Sequence, residues 1–201
     1  MNDLPPPEPP SPRLLLLTVA FEGGAALAAI VIGWLLGHPP LALIHWLPSA
    51  VLWGALATLP LLVLVAVCLI FPVGPLRQLL RVTEQLVAPL FANCTWIDLA
   101  IIAILAGLCE ELFFRGLIQG VASIWIGGSN GRWMAWIGTS ALFGLAHWIT
   151  PTYAMLAGLI GLYLGGLWIV SGNLLLPITT HTLYDFAVLA YLVKIRIKRQ
   201  A

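Results

Sequence analysis

Ser49–Phe71 reads SAVLWGALATLPLLVLVAVCLIF, an apolar run without one charged side chain. A bilayer core takes about 20 apolar residues as helix, so this run is long enough to cross one. Its surroundings repeat the pattern. Leu14–Leu36 forms another apolar run, closed by Gly37-His38-Pro39-Pro40, and Pro72 and Gly74-Pro75 close the run that begins at Ser49. Across the 201 residues 61% are hydrophobic and only 8% charged, with mean hydropathy +1.01. A soluble domain carries about 25% charged residues, so a chain this apolar has lipid as its solvent. A formal net charge of +1 supplies no basic face for a nucleic acid. Nine tryptophans suit the headgroup zone, where indole is favoured.

Further along, Thr95-Trp96-Ile97-Asp98 has the shape of a helix start. It opens a third span reaching Gln119, and Gly127-Gly128-Ser129-Asn130-Gly131 is a turn. Three more spans follow over Trp133–Trp148, Tyr153–Val170 and Leu174–Val193. In Pro75–Leu90 the residues Leu76, Leu79, Leu80, Val87 and Leu90 alternate with Arg77, Arg81, Glu84 and Gln85, as in an amphipathic helix lying on the membrane surface. The expected fold is therefore all-α: a polytopic transmembrane bundle of about six spans with one interfacial helix. Residues 1–13 read as a disordered proline-rich tail, 14–94 as two spans and the interfacial helix, 95–193 as a second, functional transmembrane unit, and 194–201 as a basic tail. With six spans, Arg13, Arg77, Arg81 and the tail share one face, while little beyond Arg132 lies on the other. The positive-inside rule then makes both termini cytoplasmic in an integral protein, expected in a bacterial plasma membrane.

Charges inside apolar spans cost about 2.5–3.5 kcal/mol each even on the lenient insertion scale, and by default mark function. The third span carries Glu110, Glu111 and Arg115, the fourth ends Phe143-Gly-Leu-Ala-His147, and the sixth holds His181 and Asp185. Glu111 and Arg115 are i, i+4 and can pair, as can His181 and Asp185. Glu110 points about 100° away from Glu111, so the two acids need not share a task. A Glu–Arg pair can also be a helix tie, and a lone histidine a satisfied core residue. That reading weakens when all six must be incidental together. Glu22, in the first span beside Gly23-Gly24, has no partner near it in sequence and is left unassigned. Asp98 is accounted for as a helix-start acid, His38 and His45 as interfacial loop residues. Cys68, Cys94 and Cys109 follow no C-x-x-C spacing and read as packing thiols.

Glu110-Glu111-x-x-x-Arg115, Phe143-x-x-x-His147 and His181-x-x-x-Asp185 together resemble the three-motif signature of the CAAX-protease and bacteriocin-processing (CPBP, or Abi) family of intramembrane endopeptidases. The match covers roughly Leu99–Tyr191. One position departs: the last motif commonly ends in Asn, and here it is Asp185. The resemblance implies that Glu110 and His147 activate a water, that His181 and residue 185 steady the oxyanion, and that Glu111 and Arg115 hold the site together. It implies as partners the bilayer and a membrane-associated protein, CAAX-like tail or leader peptide. An ionised Asp185 cannot donate a hydrogen bond, so it must be protonated or, the favoured reading, orient His181 as a donating imidazolium. No cofactor is expected. Zinc on Glu110, His147 and His181, with Asp185 as a further ligand, is the minority reading, because the resemblance implies a metal-free, glutamate-based site and no H-E-x-x-H decides for the metal. The rival class is a non-catalytic scaffold or a proton- or ion-coupled transporter using the same acids and histidines. Along their spans Glu111 and His181 are expected to lie closer to the turn around Gly128 than to the basic tail, on the non-cytoplasmic side.

Overall fold

The computed structural model describes residues 12–196, and every regular element among them is helical. The tail expected over 1–13 lies outside these residues except for Pro12 and Arg13, which already belong to a helix, and so does the end of the basic tail. The helices are α1 (Pro12–Leu35), α2 (Pro48–Ile70), α3 (Pro75–Val82), α4 (Trp96–Glu110), α5 (Gly120–Ile126), α6 (Gly131–Ala146), α7 (Pro151–Ser171) and α8 (Leu175–Ala190). A π-helical segment, Glu111–Gln119, joins α4 to α5 as one continuous run.

Local chemistry explains most boundaries. Pro48, Pro75 and Pro151 each open a helix, where the missing N–H has no intrahelical partner to lose. Thr95 and Asp98 form a reciprocal capping box at the start of α4: Asp98 N–H donates to Thr95 Oγ1 at 3.2 Å and Thr95 N–H to Asp98 Oδ2 at 2.7 Å. Gly127 and Gly128 end α5 at φ +66° and +61°, and Gly172 ends α7 at φ +63°, conformations that only glycine adopts without strain. The interfacial segment is not one α-helix. After α3 it passes through a π turn (Thr83–Val87) and a 3-10 turn (Ala88–Phe91). Each change of helix type rotates the side chains, so Leu79 is buried while Leu90 lies exposed.

Leu15–Leu35, Pro48–Ile70 and Pro151–Ser171 are long and apolar enough by themselves to cross a membrane. The others fall short individually for visible reasons. α6 and α8 have 16 residues each, and the third run is broken by the π segment that carries Glu111 and Arg115. α8 packs between α2 and α4 and also touches α7, while α6 lies along α7. Small residues permit these close approaches. Gly54 faces Thr179, Gly107 faces Thr182, and Gly144 faces Ala154 and Gly158. Interhelical hydrogen bonds run from Thr180 Oγ1 to Gly54 O at 2.9 Å and from Tyr163 OH to Ala57 O at 2.8 Å.

Two clusters mark the ends of the bundle. At one end Leu15, Phe91, Leu99, Leu189 and Val193 pack together, so the start of α1, the start of α4 and the end of α8 converge there. At the other, Ala29, Leu117, Val121, Leu174 and Ile178 meet the loop residues Leu43 and Ile44. That loop is tightly docked: Pro40 lies against Gly33 and Gly116, His38 sits on Gly120, and Asn173 clamps the His45 backbone at 2.9 and 2.8 Å.

Candidate active site

Glu110 and Glu111 stand at the junction of α4 and the π segment and face different partners. Glu111 Oε1 accepts from Arg115 Nη1 at 2.8 Å and lies 2.9 Å from His181 Nδ1 on α8. Arg115 Nη2 also donates to Gly161 O of α7 at 3.1 Å, and its guanidinium lies 4.4 Å from the ring centre of Phe143 on α6. One acid thus ties four helical segments through a single buried network. Glu110 turns to α6, with Oε2 3.6 Å from His147 Nε2.

Exposure separates the two groups. The side chains of Glu111, Arg115 and His181 are 0, 1 and 5% exposed, whereas those of Glu110, His147 and Asp185 are 15, 26 and 26%. The first three are buried, and the second three are partly exposed. A cavity of about 210 Å³ reaches His147, His181 and Asp185 and is walled mainly by apolar residues, among them Leu64, Leu69, Leu79, Leu80, Leu156 and Val188.

Hydrogen bonding fixes the ring nitrogens. His147 Nδ1 sits 2.8 Å from Phe143 O, a carbonyl that can only accept, so Nδ1 carries the proton and Nε2 faces Glu110. Glu110 Oε2 has no hydrogen-bond partner of its own. Two acceptors 3.6 Å apart are suited to a water that donates one O–H to each. In His181, Nδ1 is committed to Glu111, and Nε2 is left toward Asp185 Oδ2 at the long distance of 3.5 Å.

All six residues singled out in the sequence therefore meet around one site. The i, i+4 pairings of Glu111 with Arg115 and of His181 with Asp185 are both present, but the shorter contact of His181 is with Glu111. Glu22, left unassigned in the sequence, is buried on α1 and lies within electrostatic reach of Glu110, His181 and Asp185. Tyr153 and Tyr184, which no motif signals, line the cavity. The position of the cavity also differs from expectation. Its walls come from the end of α2, α3, the start of α7 and the later turns of α8, so it lies at the end of the bundle where α1 begins and α8 finishes, away from Gly128. His147 closes α6 at that same end and draws the site toward it.

The zinc alternative requires Glu110, His147 and His181 to converge. Among the described residues no group of three or more His, Cys, Asp or Glu side chains is placed to hold a metal ion.

Residues 92–187 match the family model described as type II CAAX prenyl endopeptidase Rce1-like. The matched stretch contains the whole hydrogen-bonded network and the Glu110–His147 pair. No curated protein and no solved structure matches the chain.

Proposed function

We propose that this protein is an intramembrane endopeptidase in which Glu110 and His147 activate a water against a peptide bond held in the cavity. The observation that carries the reading is the division of labour between neighbouring acids. Glu110 is partly exposed and approaches His147 with an oxygen that makes no hydrogen bond, whereas Glu111 is fully buried and its Oε1 serves both Arg115 and His181. In the reaction the water oxygen attacks the carbonyl carbon as Glu110 takes a proton. The carbonyl π pair moves to oxygen, and the C–N bond then breaks as Glu110 returns the proton to the leaving nitrogen. His181 Nε2 faces the same space and can donate to the oxyanion. The apolar walls suit a substrate presented at a membrane: a membrane-associated protein, a CAAX-like tail or a leader peptide.

Cells expressing wild-type protein or Glu110→Gln are compared by quantitative mass spectrometry of membrane peptide termini. Termini produced only by the wild type are expected. Equal termini from both strains, with loss of an ion flux in the variant, would instead establish the transport reading. A glutamate-activated water also predicts that a strong zinc chelator leaves the cleavage rate of purified protein unchanged. A loss restored by added zinc would reverse that.

A further inference from the structure

Oxyanion stabilisation needs fixed donors aimed at the developing charge, and each is worth about 10²–10³ in rate. This site is short of them. Asp185 as a carboxylate only accepts, and His181 offers Nε2 alone because Nδ1 serves Glu111. The cavity, however, is also lined by a phenol beside these groups. Tyr153 stands in the first turn of α7, where its backbone N–H donates to the capping Thr150 Oγ1 at 3.1 Å. The tight turn that follows α6 brings its ring to 6.3 Å from that of His147, at 57°. Tyr153 lies within electrostatic reach of both Asp185 and Glu110. Tyr184, a second phenol in the cavity lining, lies within electrostatic reach of Asp185, Tyr153 and Cys68. No partner among the described residues holds the Tyr153 hydroxyl, which leaves its O–H available to a substrate.

We propose that Tyr153 is a catalytic residue of this site, its O–H donating to the oxyanion beside His181 Nε2 and supplying the hydrogen bond that Asp185 cannot. The assignment rests on the peptidase reading above. Tyr153 keeps its proton throughout: it stabilises the oxygen that receives the carbonyl π pair, and the proton cycle stays between water, Glu110 and the leaving nitrogen. A carboxamide at 185 has an N–H to donate and is able to take over the same task.

The test uses the termini that distinguish wild type from Glu110→Gln, with rates normalised to the amount of folded protein in the membrane. Tyr153→Phe, which removes only the hydroxyl oxygen, is expected to slow their appearance about 10²–10³-fold. Adding Asp185→Asn to that variant is expected to recover most of the loss, a rescue that a packing role for Tyr153 does not predict. An unchanged rate in Tyr153→Phe overturns the assignment, and so does a loss that Asp185→Asn leaves in place. If Glu110→Gln and wild type yield the same termini, the peptidase reading fails first and the assignment falls with it.

Discussion

Arg115 is the side chain on which the site's geometry leans. It is buried, donates to Glu111 and to a carbonyl of α7, and stacks over Phe143. Removing one partner of a buried ion pair strands the other and costs about 3–5 kcal/mol. Arg115→Ala should therefore lower the melting temperature of the detergent-solubilised protein and abolish cleavage. Arg115→Lys keeps the charge but cannot bridge Glu111 and Gly161 with one planar fork, so an intermediate loss is expected. Glu110→Gln should behave oppositely, with an unchanged melting curve and no cleavage, because Glu110 holds nothing together. Asp185→Asn alone should retain cleavage, since Glu111 and not Asp185 makes the short contact with His181. Collapse of activity in that variant would return Asp185 to an orienting role.

Among the elements, the contact of α4 with α8 matters most, because it sets the distance between the acids and His181. A Cβ at Gly107 meets the backbone of Thr182 at 2.8 Å, and backbone cannot swing aside. Gly107→Ala should therefore push the helices apart at about 1–3 kcal/mol of overpacking cost. Its effect on rate should be larger than its effect on stability, as misplacement by about 1 Å can cost about 10²-fold. Gly138→Ala on α6 is the matched control, since nothing lies within 4 Å of a Cβ there. It should melt and cleave as wild type does. The π segment belongs to the same element scale. Such segments occur often at functional sites, and this one begins at Glu111 and includes Arg115.

For the whole molecule the question is which face of the membrane the cavity serves. The cavity shares its end of the bundle with α3, where Arg77 and Arg81 are exposed. The positive-inside rule predicts a cytoplasmic position for that end. Val73→Cys lies at that end and Ser129→Cys at the other, both at exposed positions. A membrane-impermeant maleimide applied to intact cells should label Ser129→Cys, and should reach Val73→Cys only after permeabilisation. The opposite pattern would turn the cavity outward and exclude cytoplasmic tails as substrates.

The sequence by itself determined the helical, lipid-solvated fold, the helix starts and turns, and the Glu111–Arg115 pair. These are local properties: hydropathy over one span, capping within one turn, and the i, i+4 spacing of one helix. The six site residues were also legible, because a charge in an apolar span stands out wherever it falls. Only the tertiary structure decided what each one touches. The partner of His181 is 70 residues away on another helix, and no periodicity encodes that pairing. The π segment, the docking of the α1–α2 loop, the nearness of Glu22 and the end at which the cavity lies likewise depend on how helices pack. Tyr153 stayed silent in the sequence for the same reason. A tyrosine at the start of an apolar helix is unremarkable until a neighbouring turn brings it beside His147.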